Sequence, residues 1–353
     1  MITIRINQNE DGAEQDNSLT VDSTLHAVDD LECGALAVSG AFECDGDLSC
    51  GDTSVSGDAK IRGDLECGTL EVSGELECDG DLTCADLSVS GHASIEGDTA
   101  CASFDMSGEF DNAGDLSCTN AKFTGGASID GDITCDSLYV SGNLGCHGDL
   151  SCRDLKVPKN GNASFSDGAV CRSLDVDGHF DTDGDLTCDT SVKISGKAYV
   201  TGDTVCKSLD VDGIFSTADD IQCSTMSVSG TLEADGDVEC GECAHITGGT
   251  VIKGRLSAKT VEIELCGEKK TEISSIKGER ITILPRAGAS ETPETAEIVK
   301  SIVGDVVTID CVKAGRAVGR ILKIGSECRI ETAEYTESIE ISPNAQVGCV
   351  KGS

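Results

Sequence analysis

The stretch Leu82–Gly97, LTCADLSVSGHASIEG, decides the fold because the chain keeps returning to it. It follows LECGTLEVSGELECDGD from Leu65 and precedes TACASFDMSGEFDNAGD from Thr99. Aligned on one cysteine, the copies form the column Cys33, Cys50, Cys67, Cys84, Cys101, Cys118, Cys135, Cys152, Cys171, Cys188, Cys206, Cys223 and Cys240. The first seven steps are 17 residues each and the later ones 19, 17, 18, 17 and 17. A fixed short period sustained over this length is the signature of a solenoid.

Within the copy the apolar residues alternate: Leu82 and Cys84, Leu87 and Val89, Ala93 and Ile95. Period-two alternation puts them on one face of a strand. It breaks at Ala85-Asp86, Ser90-Gly91 and Gly97-Asp98. The expectation is three short strands and three tight corners per turn, stacked as a right-handed parallel β-helix of triangular cross-section. A helix is excluded by two glycines per copy and by the absence of a 3.6-residue stripe. The corner glycines are expected to supply positive φ. A longer period of 34 residues is also legible. Copies ending in Cys44, Cys78 and Cys146 alternate with copies ending in Ile61, Ile95 and Ile129, as small packed over large.

Composition fits a thin column rather than a globular core: among 353 residues there is no Trp, and there are 42 Gly and only 4 Pro. The formal net charge of −38 lies wholly within residues 1–250. Residues 1–250 hold 11 basic against 49 acidic side chains, whereas residues 251–353 hold 15 of each. Nucleic acid is therefore not an expected partner, since phosphate binding needs a basic surface. No signal peptide or 18-residue apolar run is found, so the expected location is the cytoplasm.

Three regions are expected. Residues 1–30 form a tail, with Asn7–Ser18 polar and disordered and a first imperfect turn around Thr20–Val28. Residues 31–254 form the regular solenoid. Residues 255–353 form less regular turns, with a loop projecting near Pro285–Thr295. Met1–Ile6 alternates Ile with polar residues. It reads as a loose strand, or as a membrane-contact tail through Ile2, Ile4 and Ile6 that would hold by avidity on a polymer.

Two columns are candidates for chemistry. The cysteines stack about 4.8 Å apart, within reach of a disulfide. Cysteine also behaves as a small buried hydrophobe, and core filling is the favoured reading over disulfides or a metal. Only Cys240-Gly241-Glu242-Cys243 has zinc-ligand spacing, and alone it makes no zinc site. The second column, Asp47, Asp64, Asp81, Asp98, Asp115, Asp132 and Asp149, reads as a solvated corner, with a cation ladder as the alternative. The five histidines, His26, His92, His147, His179 and His245, fall in different turns, and no nucleophile–base or nucleotide-binding motif appears. No enzyme activity and no cofactor are expected.

The Ile129-Asp130-Gly131-Asp132-Ile133 corner and its equivalents, with Ile302–Ile309 and Val318–Tyr335, resemble the bactofilins, bacterial polymer-forming cytoskeletal proteins. The resemblance spans roughly residues 31–350. It implies a right-handed β-helix, head-to-tail filaments without nucleotide, and in some members membrane association through the N-terminal tail. Expected partners are further copies of the chain, the inner membrane face, and other cell-envelope or cytoskeletal proteins. The length of the repeat, its Cys column and its acidity depart from that family. The competing expectation is a surface or secreted acidic solenoid that binds a ligand or divalent cations along the Asp corners.

Overall fold

A computed structural model describes residues 18–266, 269–286 and 295–352. Ile2, Ile4, Ile6 and most of the Pro285–Thr295 segment lie outside the described residues. The described chain forms 33 strands and no helix. It divides into two compact units, Met1–Cys171 and Arg172–Ser353. The fold is a right-handed parallel β-solenoid with about 17 residues per turn.

From Leu31 to Phe165 each turn contributes an eight-residue and a four-residue strand, as in Leu82–Val89 and His92–Ile95. Every strand lies parallel and in register with its equivalent one turn away: Leu82 sits between Leu65 and Thr99, and Ala93 between Leu76 and Phe110. The first expected break does not interrupt the strand. Ala85 and Asp86 are both exposed, so the alternation slips by one residue while the ladder resumes at Asp86 opposite Ser103. Only Ala85 and its equivalent Ala102 drop out of the ladder there, and pairing continues on either side. Leu48, Leu65 and Leu82 are each about 1 % exposed on the inner face. Such burial stabilises by roughly 1.5–3 kcal/mol per side chain.

The glycines act differently from the expectation. At Gly57, Gly74, Gly91 and Gly97 the backbone is not in the left-handed region. What excludes a side chain is the next turn: a Cβ on Gly91 would lie 2.1 Å from the Gly74 carbonyl oxygen and 2.6 Å from the Ser73 carbonyl carbon. The corner is glycine because two backbones touch there, not because φ is positive.

The 34-residue period has a packing cause. One inner column reads Phe42, Ala59, Leu76, Ala93, Phe110, Ala127, Leu144, Ala163. Two residues further along the same strands, the next column reads Cys44, Ile61, Cys78, Ile95, Asn112, Ile129, Cys146, Phe165. A large residue in one column accompanies a small one in the other, so each turn delivers similar volume while neighbours interdigitate. Phe104 anchors one such layer, with edge-on rings at 4.8 Å from Phe110 and 5.2 Å from Phe123.

The second unit starts in the same style. Phe180, Ala198, Phe215 and Leu232 stack in one column. The extra residues of its longer turns are absorbed as register shifts, between Cys188 and Ser191 and between Cys240 and Cys243. From Gly249 the strands lengthen: Gly249–Leu265, Thr271–Pro285, Ala296–Ile309, Val312–Ile324 and Arg329–Ile341. Here the ladder runs around the corners, and the core becomes aliphatic and β-branched, as in Ile252, Ile273 and Ile298.

Candidate functional site

The two side-chain columns read from the sequence are both present. In the first unit Cys67, Cys84, Cys101, Cys118, Cys135 and Cys152 stand opposite one another in unbroken register. Cys33 and Cys50 are joined as a disulfide across a Cα separation of 4.8 Å. Cys67, Cys84, Cys101, Cys118, Cys135 and Cys152 stay as thiols. They line the inner face beside the first corner. Cys67, Cys84 and Cys135 are buried, whereas Cys101, Cys118 and Cys152 are partly open. In the second unit the sulfurs of Cys223 and Cys240 lie 3.3 Å apart. Cys243, the other half of the Cys-x-x-Cys pair, stands opposite Thr225 and Thr260, so the pair does not continue the thiol column.

Neighbouring sulfurs shape one another's acidity. Thiol donation from Cys101 and Cys67 favours the thiolate at Cys84, against the effect of burial. Donation from Cys101 and Cys135 does the same at Cys118. The donors Cys67, Cys101 and Cys135 are correspondingly pushed up.

The aspartates form a hydrogen-bonded rail. Oδ1 of Asp81 accepts the backbone N–H of Asp98 at 2.8 Å, Asp98 accepts that of Asp115 at 2.8 Å, and Asp115 that of Asp132 at 2.8 Å. The same contact links Asp47, Asp64 and Asp81, and runs on from Asp132 to Asp149. One carboxylate oxygen per turn thus satisfies the corner of the next. In the second unit the rail ends on a cation: Asp237 accepts the Arg255 backbone N–H at 2.7 Å and its guanidinium Nη2 at 2.9 Å. Those two contacts hold the Asp237 carboxyl below its usual range.

A third column was not singled out as polar from the sequence. The small residues of the alternating inner column donate to corner carbonyls. Cys78 Sγ reaches Gly63 O and Gly80 O at 3.5 Å, and Cys146 Sγ reaches Gly131 O at 3.3 Å. Asn112 Nδ2 donates to Gly114 O at 2.6 Å, and Thr217 Oγ1 to Gly202 O at 3.1 Å. Burial moves the Cys78 and Cys146 thiols up to about 11. The signal was available: Cys, Asn and Thr share a column, and all three carry a short donor.

The histidines stay apart. Each faces a carboxylate at the surface: His26 with Asp45 at 2.9 Å, His147 with Asp130 at 2.8 Å, and His179 with Asp181 at 2.8 Å. His92 and His245 stand farther from Glu109 and Glu262, at 3.7 and 3.6 Å. His26, Glu43 and Asp45 converge closely enough for a cation. Arg62 already takes Glu43 at 2.8 Å and Asp45 at 3.0 Å there.

The coil also presents edges. Among the described residues, Ser18–Val21 and Thr24–Ala27 are paired on one side only, with Ala35–Val38 and Ala41–Cys44. At the other extreme, again among the described residues, Gln346–Gly352 pairs only with the Arg329–Tyr335 part of its neighbour, which leaves Ser338–Ile341 with one partner, Ile321–Ile324. Ile341 and Val350 are 38 % and 47 % exposed there. No helix among the described residues is long and apolar enough to cross a membrane.

A family model described as bactofilin, polymer-forming cytoskeletal, matches residues 17–116, 67–151 and 161–257. No curated protein and no solved structure matches the chain.

Proposed function

The chain belongs to the bactofilin family, and from that premise we propose that it is a non-enzymatic scaffold that assembles end to end into filaments without nucleotide. The observation that carries this reading is the pair of strand edges described above. An edge strand offers a row of unpaired N–H and C=O groups, a template for another chain. Ile341 and Val350 add apolar surface beside one such edge. The sides oppose lateral association: the acidic excess of residues 1–250 repels a second copy until salt screens it beyond roughly 8–10 Å. Open ends and repulsive flanks favour single filaments over bundles. On this reading the scaffold is cytoplasmic. Ile2, Ile4 and Ile6 give each copy a weak hold on the inner membrane face, multiplied along the polymer. Other envelope or cytoskeletal proteins are further partners.

Electron microscopy of the reduced full chain without nucleotide, at low and high salt, tests this directly. Filaments that lengthen with protein concentration are expected, and side-by-side bundling only at high salt. Single short particles at every concentration and salt would overturn end-to-end assembly.

A further inference from the structure

The acidic excess ends at residue 250, and residues 251–353 carry 15 basic and 15 acidic side chains. Within that stretch one corner is built differently from its neighbours. The ladder pairs Ile252 with Ile273 and Arg255 with Ser275, so Lys253 and Gly254 stand against the single residue Ser274. On the other side Ile273 pairs with Ile298 and Ser275 with Ser301, so Val299 and Lys300 stand against Ser274 as well. A corner taken in one residue, between two corners taken in two, lies deeper than either. A cavity of about 330 Å³ opens there.

The lining is polar and cationic. On the outer face Arg255, Ser275 and Ser301 follow one another from turn to turn, and the two small serines leave room beside the long arginine. Lys277, on the same strand as Ser275, and Lys300, at the corner, complete the wall. Both lysines are exposed, and neither makes a direct ion pair among the described residues. One carboxylate, Asp237, also lines the cavity, and Arg255 engages it through its backbone N–H at 2.7 Å and its guanidinium at 2.9 Å. Those contacts hold the Asp237 carboxyl down first, and Lys300 adds to them, so its ammonium stands near the same group. Three cations against one carboxylate leave two positive charges. At the floor Ser274 is 8 % exposed, and among the described residues its hydroxyl has no hydrogen-bond partner. A buried hydroxyl without a partner is unfavourable, and a ligand in the cavity would supply one.

We propose that this recess binds a small tetrahedral oxyanion of the phosphate class. A guanidinium carries five N–H donors, and the Asp237 contact engages Nη2, so Arg255 keeps donors for the anion's oxygens, the pairing that guanidinium makes well with phosphate. Lys277 and Lys300 act as point charges on either side, and the hydroxyls of Ser274, Ser275 and Ser301 donate to the remaining oxygens. A dianion matches the two net positive charges. The acidic repeat opposes an anion only weakly at this distance, because salt screens its charge beyond roughly 8–10 Å. The recess has paired strands on both sides, so the site stands whether or not the open ends assemble.

The test sets position against charge. The full chain is titrated with inorganic phosphate by calorimetry, at an ionic strength held constant with sodium chloride, and its melting temperature is followed in parallel. Saturable binding of one phosphate per chain is expected, with a melting temperature that rises as phosphate is added. Lys277→Met together with Lys300→Met should weaken binding by roughly ten-fold or more. Lys193→Met together with Lys207→Met removes the same charge from exposed positions of the regular repeat and should leave the affinity as it is. Ser274→Ala separates ligation from packing: it removes a buried hydroxyl that lacks a partner, so the phosphate-free chain should melt no lower, while the rise with phosphate shrinks. No saturable binding by the native chain, equal weakening by the two lysine pairs, or a Ser274→Ala variant that binds as the native chain does would each overturn the proposal.

Discussion

Residues 31–165 and residues 249–352 solve the same problem in two ways. Both alternate apolar residues inward and stack parallel strands in register. The first stretch makes its turn from short strands and closes the gaps with glycine corners and an aspartate rail. The second carries long strands around the bends and dresses the surface with ion pairs, such as Arg320 with Asp305 at 2.8 Å and Lys313 with Glu297 at 2.9 Å. The difference shows what a repetitive corner costs in freedom. When every turn closes in the same way, identical groups stack on themselves, and the corner must be built from pieces that tolerate their own copies. Glycine does, because it has nothing to clash. Aspartate does, because its oxygen accepts from the next backbone.

The sharpest way to break the comparison is to add one carbon at equivalent places. Gly91→Ala puts a methyl 2.1 Å from the Gly74 carbonyl oxygen, with backbone on that side and no flexible side chain to yield. A destabilisation of roughly 3 kcal/mol is expected, at the upper end for overpacking. Gly304→Ala meets its nearest atoms at 3.0 Å, two of them side-chain methyls of Ile281 and Val307 that can give by a few tenths of an ångström more readily than backbone, and should cost about 1 kcal/mol. Gly145, whose nearest neighbour is the Ala127 carbonyl oxygen at 3.9 Å, is the control: Gly145→Ala should be neutral or slightly stabilising. Urea midpoints of unpolymerised protein measure all three. Equal losses at Gly91 and Gly304 would remove the distinction between the two kinds of corner.

The aspartate rail gives the next effect in size, and it separates hydrogen bonding from charge. Asp98→Ala deletes the acceptor for the Asp115 N–H, a contact of 2.8 Å, and is expected to cost about 1–2 kcal/mol. Asp98→Asn keeps an oxygen in place and removes a charge from a stack of like charges, so stability should hold or rise. If the rail instead works through bound cations, Asn should be as damaging as Ala, and added calcium should raise the melting temperature of the native chain but not of either variant.

Most of the coil was legible in the sequence, because the period-two alternation and the Gly-Asp spacing are local signals repeated many times. What was not legible involved contacts one turn away. The glycines were expected at positive φ, but the constraint at Gly91 is the distance to Gly74, which no single copy reveals. The break at Ala85-Asp86 looked like the end of a strand, yet the ladder passes it, since hydrogen bonding is decided by the neighbouring turn. The Asp column was visible, and its backbone acceptor role was not: Asp81 and Asp98 are 17 residues apart and meet only in the stack. The small-over-large pairing of Cys78 with Ile95 was legible, but not the donation from Cys78 to the Gly63 and Gly80 carbonyls.

The smallest effect tests the irregular stretch on its own terms. There two corners do use the left-handed region, and neither residue is glycine: Cys311 has φ of 56° and Glu327 of 54°. A side chain in that conformation costs roughly 1–2 kcal/mol, which glycine avoids. Glu327 is exposed, while the corner is fixed by other groups: Ser326 Oγ donates to Asp310 at 3.1 Å and the Cys311 N–H to the Ser326 carbonyl at 3.0 Å. Glu327→Gly should therefore relieve strain without removing a partner that holds the bend, and glycine's greater freedom in the unfolded chain returns part of the gain. The net expectation is a stabilisation of about 0.5–1 kcal/mol, read as a higher urea midpoint. In the glycine-cornered stretch side chains are excluded by a neighbouring backbone; here one is tolerated against its own backbone preference. A midpoint that falls on Glu327→Gly would mean that the glutamate side chain itself holds the corner, and the two stretches would then differ in composition rather than in the way they turn.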